Sequence, residues 1–508
     1  MNAPAKAQAR HLCIAPPRAK PRCAIRHNIS APGRSKKTRC ACRCGRPAST
    51  GAFCQQDPGA GRLEIAVELM TRIGILLVLI AFSHAAALRL RVPDSLVLTA
   101  MGVLLGVGYL VLQRVAPDLA GQTIAPFLSP SLPPEAYLWI FLPPVLFQAA
   151  MEVDTSELLA DIAPILVLAI GAVFTATAFV GGAAYLTSGQ SLTVCFLLGA
   201  IISTTDPSTV IALFQDGGAP RRLIRLIEGE SLFNDAAAIA ITTHLIATLG
   251  GPAARSLTGS AAGDLLLSLI GAAAFGLLAG SLLAAMVRVL RGPALSEFSL
   301  SLALPSLLYP AAEHWLHVSG VVAVVCAGLA AGRQLRARQT PAESVMFREL
   351  WCHLAAFSGS AVFLLAALHV PTMLRDFRTA DALVLCLVVI AALLSRLGTI
   401  GICLPLLSRM GACEPVPRKH RLLIAWGGVR GPVTLTLALC VARNDALPAD
   451  ARHIAAVVAT AFVLLNLVCN GLTLRLLMRR LGIQMPADES PDPDKAPAAA
   501  TLTAPRRP

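Results

Sequence analysis

The chain has 508 residues, of which 55% are hydrophobic and 14% charged, with a formal net charge of +14. Soluble domains carry about 25% charged residues, so this balance excludes an ordinary globular domain and places most of the chain in lipid. About 13 of the Lys and Arg residues fall in the first 64 positions, and no basic stripe interleaved with aromatic residues remains elsewhere to support nucleic-acid binding.

The leader, residues 1–62, also holds six of the 14 cysteines, among them Cys40, Cys42 and Cys44 in the run CACRC. It lacks the repeated C-x2-C pairs of a metal site and the apolar core of a signal peptide. It reads as a disordered basic extension, mis-started or processed away, with a metal-binding or redox tail as the alternative. A start at Met70 or just upstream leaves the rest of the reading unchanged.

Apolar runs follow near 65–88, 95–113, 135–150, 158–187, 191–214, 223–250, 262–290, 297–316, 318–335, 347–370, 380–408, 420–442 and 453–478. About 20 such residues span the hydrocarbon core. The expectation is therefore an all-α polytopic membrane domain of 13 helices over 63–482. The Pro- and Ala-rich stretch 483–508 reads as a disordered tail. The basic residues of the loops favour a cytoplasmic C-terminus: Arg89, Arg91, Arg221, Arg222, Arg225, Arg288, Arg291, Arg333, Arg336, Arg338, Arg348, Arg409, Arg418, Lys419 and Arg421 fall inside, against Arg114, Arg255, Arg375, Arg378, Arg443 and Arg452 outside. Thirteen spans then put the N-terminus outside. The basic leader conflicts with that placement unless it is absent from the mature protein.

Ionisable groups inside apolar runs are costly and mark function by default. The fifth run places Asp206 near its middle, flanked by Thr204, Thr205 and Pro207, and the sixth carries Glu230, Ser231, Asn234 and Asp235. Ser231 and Asp235, four apart, share a helix face, as do Glu230 and Asn234. Two carboxylates framed by hydroxyl and amide oxygens are hard ligands for a monovalent cation and offer no thiolate or imidazole set for zinc or copper. Burial and a like-charged neighbour both disfavour an ionised carboxylate, so the same groups suit proton exchange. The structural alternative is that backbone groups and buried water cap them. Helix breakers add a second signal: Asp206-Pro207 interrupts the fifth run and GGVRGP, 427–432, the twelfth. Runs 1–6 and 8–13 then form inverted repeats about the seventh, with breaks at matched places, as where broken helix ends meet an ion. Arg396 and Arg430 also lie in apolar runs. Glu230 is the expected partner of Arg396. For Arg430, snorkelling to the interface is the alternative to a buried role.

Four motifs carry a resemblance: FLPPVLF (141–147), TTDPSTV (204–210), EGESLFNDA (228–236) and GGVRGPVTLTLAL (427–439). In this order they resemble the sodium/proton exchangers of cation/proton antiporter family 1, over about residues 65 to 480. The resemblance implies a homodimeric 13-helix antiporter of the inner cell membrane, with dimerisation and core domains and elevator-like alternating access. It implies Asp235 as the carboxylate that carries Na+ (or Li+, K+) or H+. Asp206, the Thr205 backbone and Ser231 complete the coordination and Asn234 supports it. Glu230 and Arg396 form a structural salt bridge, and Arg430 bears on gating or pH response. The Asn-Asp form is associated with electroneutral one-for-one exchange. Gln148 stands where many relatives carry an acid after LPP-x-x-F, which bears on ion choice. No cofactor is implied.

A K+/H+ antiporter is the nearest rival, since oxygen ligands alone do not rank the two cations. An intramembrane enzyme lacks support: His244 and His314 are isolated, and neither H-E-x-x-H nor G-x-S-x-G occurs. A channel or receptor fits the proline-broken helix pair less well.

Overall fold

Long apolar runs separated by gaps of one to 21 residues dictate helices joined by turns and loops. The computed structural model describes residues 58–90, 92–117, 135–153, 155–206, 210–211, 214, 221–250, 261–290, 294–336, 341–412 and 414–482. The leader to residue 57, the tail from 483, Pro207, and loop arginines 91, 255, 291 and 338 lie outside the described residues. Two units divide the chain, Met1–Ala66 and Val67–Pro508. The described residues of the first are the opening turns of α1, Pro58–Leu90. This helix therefore begins ahead of the apolar run 65–88, in a PGAGR stretch that hydropathy does not mark.

The second unit continues with α2, Asp94–Val115, α3, Glu135–Glu152, α4, Ile162–Ser188, α5, Leu192–Ser203, and α6, Arg221–Leu249. Then come α7, Ala261–Leu290, α8, Ala294–Pro310, prolonged by a π turn at Ala311–Leu316, α9, Gly320–Arg336, α10, Pro341–Leu368, and α11, Thr379–Arg409. The last are α12, Arg418–Trp426, α13, Pro432–Arg443, and α14, Thr460–Arg480, entered through Ala449–Ile454 and a π turn at Ala455–Ala459. Counting α12 and α13 as one interrupted run, the described residues hold the 13 expected. Among the described residues eight helices are long and apolar enough to cross a membrane unaided.

Local signals explain the turns. Gly189 adopts φ +66° after α4, and Ser191 Oγ accepts the Val194 N–H at 3.4 Å to open α5. A left-handed C-cap and a serine N-cap thus reverse the chain within three residues. The return brings α5 tight against α4. A Cβ at Gly199 would lie 2.6 Å from the Thr177 carbonyl, so only glycine permits this approach.

Two packing groups result. Helix α4 packs on α5, α6 and α11, with α12, α13 and α14 attached; α3 packs on α9 and α10, with α2, α7 and α8 attached. Helix α13 against α10, and α6 against α9, join the groups. The fifth and twelfth runs are the interrupted ones. Helix α5 stops at Ser203 instead of running to 214, and α12 stops at Trp426 before α13 resumes at Pro432. Where they cross, the Asp206 N–H donates to the Val429 carbonyl at 2.8 Å, an isolated antiparallel bridge.

Candidate functional site

A helix that stops inside an apolar core leaves its last carbonyls without intrahelical donors. At the end of α5 those of Ser203 and Thr204 accept from Arg430 Nη1, at 3.3 and 2.8 Å. The guanidinium also lies 5.6 Å over the Phe462 ring, and the Arg430 N–H donates to Asn466 Oδ1 at 2.8 Å. The residue is 4% exposed, so the snorkelling alternative is overturned: Nη1 is turned to the broken helix end, while Nε has no acceptor among the described residues. The opposite polarity sits at the other break. A Cβ on Gly431, the residue that precedes Pro432 at the start of α13, would fall 2.9 Å from the Asp206 Cβ. Asp206 thus lies at the positive end of α13 and Arg430 at the negative end of α5, each opposing a helix dipole. The hydroxyls of Thr204 and Thr434 pair across the same crossing.

Helix α6 grips the unwound stretch through Thr205. Ser231 Oγ donates to the Thr205 carbonyl at 2.7 Å, and Asn234 Nδ2 donates to Thr205 Oγ1 at 3.0 Å. The Thr205 backbone N–H faces the Asp235 carboxylate. Ser231, Asn234 and Asp235 fall on adjoining stripes of one helix, so a single five-residue segment holds all three near one backbone unit. Two acceptors are left over: Asn234 Oδ1 and Asp235 Oδ1 are buried with no hydrogen-bond donor among the described residues. An unpaired buried acceptor is unfavourable by about 1–3 kcal/mol, more when charged; a cation relieves either oxygen, whereas a proton binds only the carboxylate.

Behind this cluster Glu230 and Arg396 meet in a fork. Arg396 Nη1 donates to Glu230 Oε1 at 2.7 Å and Nη2 to Oε2 at 3.1 Å, with both side chains at most one-tenth exposed. The pair ties α6 to α11, beside Thr399, whose hydroxyl meets that of Thr175 on α4 at 2.7 Å.

A cavity of about 1530 Å³ reaches the cluster, lined by Thr204, Thr205, Asp206, Ser231 and Asp235 at its inner end. Gln148 lines it too, as do Glu152 at the end of α3, Glu228 and Arg348. The structure thus brings Asp235, Asp206, Thr205, Ser231 and Asn234 together, and Glu230 with Arg396 beside them; Gln148 faces the same cavity.

Some participants escape a reading based on charge in lipid. Val429 acts through its carbonyl, which no side-chain pattern signals. Thr434 and Asn466 are neutral, although Asn466 in the apolar stretch FVLLN is detectable by the same rule that finds the carboxylates. Asp161, 3% exposed, is bound by Arg222 through Nε and Nη2 at 3.1 and 2.5 Å; this pair joins the starts of α4 and α6.

The "Sodium/hydrogen exchanger, transmembrane" family profile matches residues 74–480. The chain is 30% identical over 354 residues to the Na(+)/H(+) antiporter ApNhaP of Aphanothece halophytica, covering 70% of this chain and 66% of that one. It is 28% identical over 423 residues to the Na(+)/H(+) antiporter NhaH of Halobacillus dabanensis, covering 82% of this chain and 98% of the relative. The fold is that of the sodium proton antiporter MjNhaP1 from Methanocaldococcus jannaschii, solved at pH 8, with a TM-score of 0.60 at 23% identity over 82% of this chain and 99% of that one. The helix breaks, their crossing, the carboxylates of α6 and the profile match agree: this multi-pass membrane protein belongs to the sodium/hydrogen exchanger family.

Proposed function

We propose that the chain is a secondary active antiporter that exchanges Na+ (or Li+) for H+ one for one, with the Asp235 carboxylate taking the two ligands in turn. The observation that carries this reading is the pair of acceptors Asp235 Oδ1 and Asn234 Oδ1, without a donor among the described residues, the first of them on a residue that lines a cavity also reaching Asp206. With a proton on Asp235, the site is neutral there and needs no cation. With the proton gone, a buried anion remains whose most economical partner is a small cation held by oxygens. Asp206, the Thr205 carbonyl and the Ser231 hydroxyl supply further oxygens, and Asn234 Nδ2 keeps Thr205 in place. One carboxylate taking one Na+ or one H+ gives electroneutral exchange. Glu230 and Arg396 keep their charges matched in every state and so fasten α6 to α11 without taking part in the exchange. Arg430 holds the end of α5 at the crossing.

The arginine bias of the loops supports a cytoplasmic C-terminus, and with it a cavity open to the cytoplasm, since its walls include the ends of α1, α3 and α9 and the starts of α2, α6 and α10. The group of α4–α6 and α11–α14 then carries the site against the group of α2, α3 and α7–α10, the part through which two copies pair in the cell membrane.

Everted vesicles loaded with a pH-sensitive dye test the reading. Na+ or Li+ is expected to dissipate the acid interior with the wild type, more effectively than K+. Asp235→Ala is expected to abolish this while remaining inserted. Equal rates for the two proteins would remove Asp235 from its role.

A further inference from the structure

Six cations gather where α11 and α14 end and α12 begins. Arg409 closes α11, Arg418, Lys419 and Arg421 fall in the first turn of α12, and Arg479 and Arg480 close α14. One core, built from Leu404 and Leu407 of α11, Leu423 and Ile424 of α12, and Leu474 and Met478 of α14, holds the three ends together. Trp426 Nε1 donates to Thr473 Oγ1 and Asn470 Nδ2 to the Trp426 carbonyl, both at 2.9 Å. Lys419 Nζ lies 4.0 Å from the position of a Cβ on Gly482, just past α14. Arg421 is half-buried and the other five cations are exposed.

Among the described residues none of the six forms a salt bridge. The exposed acid of the loop before α12, Glu414, faces Arg222 at 3.5 Å instead. Arg409, Arg479 and Arg480 complement the negative ends of their helices, but α12 sets three cations at its positive end with no acid in that turn. Such like charges repel the dipole and one another until an anion neutralises them. Next to the cations the outer faces are apolar. On α11 Ile402, Leu406 and Met410 are 68%, 53% and 72% exposed, and on α14 Leu472 and Leu476 are each 52% exposed. Residues four apart share a helix stripe, so each stripe runs through hydrocarbon up to a terminal cation.

We propose that the ends of α11, α12 and α14 form a binding site for an anionic glycerophospholipid of the cytoplasmic leaflet, with its phosphate among Arg409, Arg418, Lys419 and Arg479 and its chains along the α11 and α14 stripes. A soluble anion answers the charge alone; only a lipid answers the charge and the apolar stripes together. Guanidinium groups grip phosphate oxygens through paired hydrogen bonds. Clusters of about four to eight cations at the cytoplasmic end of membrane helices attract anionic headgroups, each cation contributing roughly fivefold in affinity. The site lies in the helix group that holds Asp235, and α12 leads directly into GGVRGP. A headgroup that joins α12 to α14 therefore steadies the half-helix ahead of the second break. The rival occupant is the acidic run of this chain, Asp488, Glu489, Asp492 and Asp494, which begins six positions past Gly482 and carries charge without long apolar side chains. The proposal goes beyond the antiporter reading and does not depend on which ions are exchanged.

The test is the binding of fluorescent phosphatidylglycerol to the detergent-purified full chain, read by anisotropy. Saturable binding is expected, displaced by unlabelled phosphatidylglycerol but not by phosphatidylcholine or glycerol 3-phosphate. Combined Arg418→Gln, Lys419→Gln and Arg479→Gln substitutions are expected to weaken it by about tenfold or more. Arg288→Gln with Arg333→Gln, which removes exposed cations from α7 and α9 in the other helix group, is expected to leave it unchanged. Raising salt from about 0.05 to about 0.5 M is expected to weaken wild-type binding, a reading that needs no variant. Equal affinity in the wild type and the triple variant overturns the proposal. So does an equal loss in the α7–α9 variant, displacement by phosphatidylcholine or by glycerol 3-phosphate, or indifference to salt. Binding that emerges only after Asp488→Asn, Glu489→Gln, Asp492→Asn and Asp494→Asn would give the patch to the acidic run and overturn it too. If the triple variant fails to fold, the salt and displacement results decide.

Discussion

At the level of single residues, the site is organised around a backbone unit more than a side chain. Thr205 accepts from Ser231 through its carbonyl and from Asn234 through its hydroxyl, and its N–H faces Asp235. The buried charges divide into two kinds. Glu230 and Arg396 neutralise each other through two hydrogen bonds. Removing one member strands the other, so Glu230→Gln is expected to lower stability by about 3–5 kcal/mol, read as a large fall in Tm of the detergent-purified protein. Asp235 is the other kind, an anion with an unpaired oxygen. Asp235→Asn is expected to leave Tm unchanged or raised while abolishing exchange, the usual sign of a group kept for function at the expense of stability. The charged members were legible in the sequence because lipid makes every charge conspicuous. Thr434 was not, because a neutral polar group acquires meaning only from a partner that the fold brings to it; its hydroxyl meets that of Thr204, 230 positions away.

At the level of elements, the two breaks are complementary. Arg430 comes from the second break and caps the helix of the first, while Asp206 comes from the first and sits at the start of the helix after the second. Neither half can fold its interruption alone, and for that reason the run 191–214 reads as one helix from its apolarity, yet α5 ends at Ser203. Pro207 and GGVRGP announced that breaks occur; the donors that make them affordable come from 220 or more positions away. The crossing leaves no room for a side chain at Gly431, where a Cβ would meet the Asp206 Cβ at 2.9 Å. Gly431→Ala is therefore expected to spread the crossing, with a loss of about 1–3 kcal/mol in stability and a marked fall in maximal exchange rate, measurable by dye dequenching at saturating Na+.

At the level of the whole membrane unit, the helix order, the 13 runs and the matched interruptions were legible, because hydropathy and length determine what spans a bilayer. The grouping of the helices was not, since it depends on close contacts such as Gly199 on Thr177 that apolarity does not specify. The groups touch at both ends of the site. Away from the cavity, Arg443 at the end of α13 reaches His369 Nδ1, just past α10, at 3.4 Å, and the His369 ring stacks on Tyr137 of α3 at 6.5 Å. If the site is carried from one face to the other by one group sliding on its neighbour, this contact must part in each cycle. A His369→Cys, Arg443→Cys pair, in a background without the native cysteines, is expected to stop exchange when oxidised and to regain it on reduction. Undiminished exchange in the oxidised protein would show that the groups do not separate there.

The account stands most directly on competition at one carboxylate, and calorimetric titration of the purified protein with Na+ at a series of pH values measures it. About one proton released for each Na+ bound, with apparent affinity falling about tenfold per pH unit in the acid range and no heat of binding in Asp235→Asn, is the predicted result. Na+ binding with an affinity independent of pH and without proton release would contradict it.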